Sequence, residues 1–293
     1  MPVERPKLEH DLRAVRTLFD RLLTALCALL SLVAALPLFA VLWLLIERGA
    51  TNFRLDMLWS LPPSGLDTTG GGFGNAILGT VYMVGIASVL AVPTGILAAI
   101  FLAEYGDGTR LAAVIRFAAK VLTGMPSILA GIFAYAMVVL ATGHFSALAG
   151  GVALAVLMVP IVVLTAEQAI RAVPQKMKDA AVGMGATSAQ VVMRVTLPTA
   201  MPSVLTGVML AIARAAGETA PLLFTAQFSN YWLRLDRLED TASLAVLIYQ
   251  FSGSPYEHQI EMAWTAALVL VLLVLLFNIA GQVLAARSDH SRH

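Results

Sequence analysis

Six long apolar runs, separated by short polar connections, make up most of this chain. A helix that crosses a bilayer needs about 20 consecutive, mostly apolar residues, and each run meets that length. The runs are Leu22–Ile46, Asn75–Ala103, Phe117–Ala141, Gly150–Ala169, Met201–Phe224 and Ala263–Ala286. The pattern therefore predicts an all-α membrane protein with six transmembrane helices.

The first run follows a basic segment, residues 1–21, as the apolar core of a signal peptide does. A signal-peptide core has about 7–15 residues, whereas the run at 22–46 is longer. We therefore expect a retained first transmembrane helix at 22–46. The remaining runs form a second unit, residues 75–286, and a short tail, 287–293, follows it.

Composition supports this class and excludes several functions. The chain is 59% hydrophobic and only 13% charged, against about 25% charged in soluble domains. The single cysteine, Cys27, permits no disulfide within one chain, and the five histidines show no metal-ligand spacing. No connection is long enough for a sizeable soluble domain, so we expect a chain that is not itself an enzyme.

Basic residues are distributed asymmetrically about the predicted spans. One side carries fourteen of the nineteen lysines and arginines, in residues 1–21, 104–120, 170–198 and 287–293. The other side, 47–74 and 225–262, carries four, and Arg214 lies inside a span. Because cytoplasmic connections carry the excess of basic residues, both termini are expected in the cytoplasm.

Two glycine-containing stretches invite a functional interpretation. GGGFG, residues 70–74, lacks the Gly-Lys-Ser/Thr ending of a phosphate-binding loop, and a flexible membrane-entry loop is the better interpretation. TGMPSILAGIFAY, residues 123–135, places Ser127 beside a proline and two glycines. A kink with close helix packing is favoured here, and a backbone break that lines a pathway is the alternative.

The basic connection between the fourth and fifth spans contains QKMKDAAVGMGATSAQVVMRVTLP, residues 175–198. Its alanine-rich part predicts a helix up to Gly185, and a second helical stretch runs from Ser188 to Val195 before Pro198. A helix of this kind either lies on the membrane surface or docks a cytoplasmic partner.

This connection resembles the EAA loop of the binding-protein-dependent ABC importer permeases. The resemblance places the loop at 176–198, and the matching residues, in the family's spacing, are Asp179, Ala180, Ala181, Gly183, Gly185, Leu197 and Pro198. Aspartate replaces the family's glutamate. The stretches GGGFGNAILGT, TGMPSILAGIFAY and ARAAGETAPLLFTA are similar to those of the phosphate-importing members of the family.

The resemblance implies the MetI-like type I fold, with a core of five helices preceded by one extra helix. It also implies a bacterial inner-membrane phosphate permease that works with a second, related permease, an ATPase dimer and a periplasmic phosphate-binding protein. ATP and magnesium would bind to the ATPase, and this chain would bind no cofactor. The alternatives are an importer of another oxyanion, such as molybdate or sulfate, and a secondary transporter that works alone.

Arg214 and Glu218 are charged residues inside the fifth run, ARAAGETAP at 213–221. Residues four apart share one helix face, so the two are expected to reach each other. Charges at membrane depth are costly and usually mark a pathway, although a purely structural ion pair is the alternative. An arginine fork suits an oxyanion, and a glutamate can accept the proton of phosphate, which sulfate lacks. Thr219 and Ser127 would add hydroxyl groups to this path, although such a hydroxyl is more often a helix-packing group.

Overall fold

The computed structural model describes residues 15–64, 67, 70–234 and 238–290 of the chain, and these residues contain helices but no β-strand. The helices are α1 (Val15–Thr51), α2 (Gly74–Tyr105), α3 (Arg110–Gly124), α4 (Ser127–Thr142), α5 (Ala147–Arg171), α6 (Gln175–Gly183), α7 (Ser188–Ala216), α8 (Ala220–Leu223), α9 (Leu244–Ser252) and α10 (Glu257–His290). The predicted all-α class is confirmed.

Five of these helices are long and apolar enough to cross a membrane, and the bent pair α3 and α4 qualifies as a sixth span if it is counted as one. The terminal helices extend past the predicted runs, because α1 begins at Val15 and α10 continues to His290. Residues 1–14 of the predicted N-terminal segment and 291–293 of the predicted tail lie outside the described residues.

Helix α5 forms the centre of the bundle, since 67% of its apolar stretch is buried, against 6% for α1. Glycines allow neighbouring helices to approach it closely. A β-carbon on Gly95 of α2 would lie 2.7 Å from the side chain of Val162, and one on Gly151 would lie 2.5 Å from that of Ile86. Small residues let the helix backbones approach closely, and the resulting van der Waals packing stabilises helix association in a bilayer.

The third predicted span is not one helix, which corrects the expectation of a single span with a kink. Helices α3 and α4 meet at Met125–Pro126 with a bend of 107°. Met125 is extended (φ −76°, ψ 139°), as a residue before proline tends to be, and Pro126 precedes the first turn of α4. The Pro126 ring prevents α3 from continuing, and a new helix starts in another direction.

The fifth predicted span is also interrupted. Helix α7 ends at Ala216, Gly217 follows it, and the short helix α8 begins at Ala220. A continuous helix would require the Pro221 nitrogen to bond the carbonyl of Gly217, and proline has no N–H and clashes there. The expectation of an unbroken helix over Met201–Phe224 is therefore wrong beyond Ala216.

Helix α7 begins earlier than expected and passes through Pro198 without a break. A π-helical turn, Val192–Thr196, ends two residues before that proline. Such a turn has i→i+5 hydrogen bonds in place of the regular α-helical ones, and it occurs as a single turn inside a longer α-helix. Two further π-helical turns, Phe101–Tyr105 and Tyr135–Val139, lie in α2 and α4.

The glycine-rich entry to α2 is packed against the chain. This corrects the expectation of a flexible membrane-entry loop at residues 70–74. The amide of Phe73 donates to the carbonyl of Met57 at 2.8 Å, and that of Gly74 donates to Ser60 at 2.9 Å. The Phe73 side chain is fully buried. A β-carbon on Gly74 would lie 2.7 Å from the carbonyl oxygen of Leu58, so close backbone approach explains the glycine.

We call the end of the bundle where α2 and α5 finish, around Tyr105 and Arg171, the basic end. The opposite end holds the starts of α2 and α5. There the Ser146 amide donates to the Thr225 carbonyl at 3.0 Å, and the Asn75 side chain donates to the Ser229 carbonyl at 2.7 Å. The connection after α8 is thereby fastened onto the bundle.

Candidate functional site

Arg214 and Glu218 form an ion pair, with 3.5 Å between Arg214 Nε and Glu218 Oε1. The predicted proximity is confirmed, but the two residues do not share one continuous helix. Arg214 lies in the last turn of α7, whereas Glu218 lies in the interruption between α7 and α8. The Arg214 side chain is 51% exposed and the Glu218 side chain 17%. The arginine therefore projects from the surface of this chain while the carboxylate stays close to the bundle.

The other two predicted pathway residues lie at helix starts. Thr219 immediately precedes α8 and its carbonyl accepts the amide of Leu222 at 3.1 Å. Ser127 is the half-buried first residue of α4. One turn later, Gly131 packs on Pro221, where a β-carbon would lie 2.6 Å from the Pro221 Cα atom. The interruptions of the third and fifth spans are thus adjacent, which sequence spacing does not reveal.

The loop that resembles an EAA loop folds as helix α6, a turn and the start of α7. Gly185 adopts φ +86°. Its amide donates to the carbonyl of Val182 at 2.9 Å, and the Ala186 amide donates to that of Ala181 at 3.1 Å. This pair of bonds is the glycine-terminated helix end known as the Schellman motif. Thr187 then starts α7 with a reciprocal capping box.

The predicted coupling residues occupy different positions on this unit. Asp179 is exposed on α6 and its Oδ1 atom accepts from Gln175 Nε2 at 2.9 Å. Ala180 is exposed and Ala181 is buried against the bundle. Gly183 ends α6 in open space. Leu197 and Pro198 are half-buried in α7, which places them behind the exposed surface.

Large apolar side chains are exposed on this same unit. Met184 is 83% exposed, and Val182 and Met193 are 58% and 62% exposed. The neighbouring helix α6 also carries the polar residues Gln175, Lys176 and Asp179. This mixture of apolar and polar side chains differs from a purely apolar, lipid-facing surface. Exposed apolar groups rimmed by polar ones are typical of a protein docking surface.

Sequence reasoning missed an ion-pair network at the basic end. Glu167 of α5 is 7% exposed and bonds both Arg116 and Arg171. Lys178 of α6 pairs with Glu104 of α2. The spacing of Glu167 and Arg171, four residues apart, is visible in the sequence. Their long-range partners come from other helices and have no sequence signal.

A polar cavity of about 470 Å³ lies at the opposite end of the bundle. It is lined by the turn between α4 and α5, including His144, and by the connection after α8, including Tyr231, Trp232 and Asp240. Its position on the far side from α6 separates it from the exposed apolar surface just described.

A helical bundle with two adjacent span interruptions, a charged pair at one of them and a short exposed helix at one end has the features of a transmembrane transport subunit. The chain belongs to the family of binding-protein-dependent transport system inner membrane components, whose model matches residues 91–290.

Two relatives carry a more particular name. The phosphate transport system permease protein PstA of Yersinia pestis is 40% identical over 256 residues, 86% of each chain. PstA of Haemophilus influenzae is 38% identical over 264 residues, 90% of this chain and 93% of the relative.

Solved structures show the same fold. An inward-facing structure of the MetNI methionine ABC transporter matches with a TM-score of 0.60 and 20% identity, over 80% of this chain and 99% of its own. A bacterial ABC transporter that imports alginate matches with a TM-score of 0.64 and 14% identity, over 92% and 96%. The predicted MetI-like fold is therefore confirmed, and membership of this family does not favour the alternative of a secondary transporter that works alone.

Proposed function

We propose that this chain is the transmembrane permease subunit of an ATP-driven importer of inorganic phosphate. The observation that carries the proposal is the Arg214–Glu218 pair at the interruption of α7. It is supported by relatives, named as phosphate permeases, that match 86% or more of the chain. The nearer alternative is import of another oxyanion, such as molybdate or sulfate.

The exposure of Arg214 favours a pathway between subunits. A charged side chain that faces hydrocarbon costs about 2.5–3.5 kcal/mol or more, and the Arg214 side chain is half exposed in the isolated chain. A second, PstC-like permease or a water-filled passage would remove that cost. The translocation path would then run along the face formed by Arg214, Glu218, Thr219 and the start of α4 at Ser127.

The pairing of an arginine with a glutamate suits phosphate in particular. The Arg214 guanidinium would hold the anion through its fork of donors. Phosphate near neutral pH still carries at least one proton, so its hydroxyl can donate to the Glu218 carboxylate. Sulfate has no such proton and would be repelled. The carboxylate also neutralises Arg214 when the path is empty, which favours release as well as binding.

The basic end would face the cytoplasm, together with both termini, because it carries most of the lysines and arginines. Helix α6, with Asp179 and the exposed Met184, would dock into a PstB-like ATPase dimer. ATP and magnesium would bind and react there, and this chain would need no cofactor. The opposite end, with its 470 Å³ cavity, would receive a periplasmic, PstS-like phosphate-binding protein at the bacterial inner membrane.

The experiment that tests the site is reconstitution of the complete complex in liposomes with Arg214→Gln. We expect phosphate uptake to fall by at least about tenfold, as for loss of a charged contact of some 1.4 kcal/mol, while the binding protein still stimulates ATP hydrolysis. Arg21→Gln is the matched control, because Arg21 is an exposed arginine of α1 that lies away from the proposed path. Equal uptake in the two variants would show that Arg214 is only structural.

A second variant, Glu218→Gln, tests the substrate. The amide keeps the shape but removes the charge, so we expect phosphate uptake to fall and the preference for phosphate over sulfate to narrow. A wild-type complex that transports sulfate or molybdate and not phosphate would establish the alternative instead.

A further inference from the structure

Glu167 joins two arginines at the basic end of the bundle through a single oxygen atom. Its Oε1 atom accepts from Arg116 Nε at 2.7 Å and from Arg171 Nε at 3.0 Å. Arg116 belongs to α3, whereas Glu167 and Arg171 belong to α5. A buried carboxylate needs such partners, because an unpaired charge is very costly away from water.

The same two arginines hold the end of α2. Arg116 Nη2 donates to the Leu102 carbonyl at 2.8 Å, and Arg171 Nη2 donates to that carbonyl at 3.0 Å. Leu102 lies in the last, π-helical turn of α2, where carbonyl groups lack donors from their own helix. Each guanidinium therefore spans from Glu167 to the end of α2, and the ends of α2 and α5 and the middle of α3 form one unit.

A second link connects this unit to α6. Lys178 Nζ lies 2.5 Å from Glu104 Oε1, and the two side chains are only 12% and 13% exposed. Glu104 follows Leu102 by two residues in the same π-helical turn. Lys178 is the residue before Asp179, so the docking helix is fastened to α2 from its inner side.

A continuous set of contacts then runs from α6 to the charged pair. Lys178 holds the end of α2, Arg116 joins that end to α3, and α3 leads through the bend at Pro126 into α4. Helix α4 packs through Gly131 on Pro221, three residues after Glu218. Hinge movements are absorbed by a few residues at the ends of helices, and the bend at Met125–Pro126 is such a place.

We propose that Glu104, Lys178 and Glu167 are positioning residues that couple movement of α6 to the pathway helices. This inference rests on the proposed function. Its content is that ATP-driven displacement of α6 moves α2, α3 and α5 together through these ion pairs, and reaches Glu218 through the bend between α3 and α4. A buried pair of this kind contributes little net stability, which is consistent with a role in transmission.

Charge reversal tests the link to α6. In the complete reconstituted complex, Lys178→Glu and Glu104→Lys each place like charges together, so we expect phosphate taken up per ATP hydrolysed to fall about tenfold, within the range measured for coupled pairs. The double variant K178E/E104K should recover to within about twofold of wild type. If Lys178 instead contacted the ATPase directly, the double variant would stay defective and the proposal would be overturned.

The matched control is a pair of exposed charged residues on α1, Asp20 and Arg21, away from both proposed docking ends of the core. Asp20→Lys and Arg21→Glu each reverse one of these charges. We expect uptake per ATP to remain within about twofold, since exposed charges contribute little. An equal loss in this control would show that charge reversal harms the complex non-specifically, and would count against the proposal.

Glu167→Gln tests the centre of the network. It keeps the volume and one acceptor oxygen, so we expect the complex to assemble and hydrolyse ATP while stimulation by the binding protein is lost. A parallel decline in melting temperature, uptake and ATP hydrolysis, with uptake per ATP unchanged, would mean that Glu167 is only structural. Failure of the proposed function looks different, because the wild-type complex itself would then take up no phosphate while it still hydrolysed ATP.

Discussion

Gly131 of α4 and Pro221 of α8 are in direct backbone contact, and a β-carbon at position 131 would lie 2.6 Å from the Pro221 Cα atom. This contact brings together the two spans that are interrupted, the third at Met125–Pro126 and the fifth at Gly217. The contact between α4 and α8 therefore lies within a few residues of Glu218. The proposed substrate contact and the proposed helix movement would therefore share the same small region.

The Gly131 contact leads to the first prediction. Gly131→Ala should destabilise the complex by about 1–3 kcal/mol, because the backbone at Pro221 cannot move aside as a flexible side chain can. Phosphate uptake should fall with it. A thermal melt of the purified complex and an uptake assay measure the two effects. Gly124→Ala is the control, since open space surrounds that position in the chain, and equal effects of both variants would refute the packing argument.

Gly185 provides a prediction about backbone conformation alone. Its φ of +86° favours glycine, and no heavy atom lies within 4 Å of where a β-carbon would be. Asparagine tolerates this region far better than a β-branched residue. Gly185→Asn should therefore keep most binding-protein-stimulated ATP hydrolysis, whereas Gly185→Val should lose it. If the two variants behaved alike, the left-handed turn would not be what matters.

Met184 provides a prediction about docking. It is the most exposed large apolar side chain of the α6 unit, at 83%. Met184→Asp should reduce the amount of ATPase that copurifies with the permeases, because an apolar contact would be replaced by a charge that loses its hydration. Leu55→Asp serves as control, since Leu55 is 63% exposed at the opposite end. Undiminished copurification of the ATPase with Met184→Asp would place the docking surface elsewhere.

Asn75 provides a prediction about the opposite end. Its side chain is 1% exposed and donates to the carbonyls of Ser229 and Tyr231, at 2.7 and 3.2 Å. Asn75→Ala leaves both carbonyls without this donor, at a cost of about 1–3 kcal/mol. The connection after α8 should then be cut faster in limited proteolysis. Asn230→Ala, at an exposed position nearby, should leave the cleavage rate unchanged.

Several features of the fold and site could be predicted from local sequence. The six apolar runs, the short helix α6 and the turn at Gly185 all follow from patterns within about 25 residues. The proximity of Arg214 and Glu218 follows from their spacing. The interruptions of the third and fifth spans were not predicted. Apolar content alone does not distinguish a continuous helix from one that ends near Pro126 or Pro221.

Local sequence was sufficient to predict the membrane spans, the charged residues within them and the short helix α6 between two of them, because hydropathy and turn chemistry are local properties. The contact of Gly131 with Pro221 and the ion pair of Glu167 with Arg116 are visible only in the folded chain. These contacts link residues 90 and 51 positions apart. They depend on how helices pack around α5, and helix packing in a bilayer is governed by shape and by the pairing of buried polar groups.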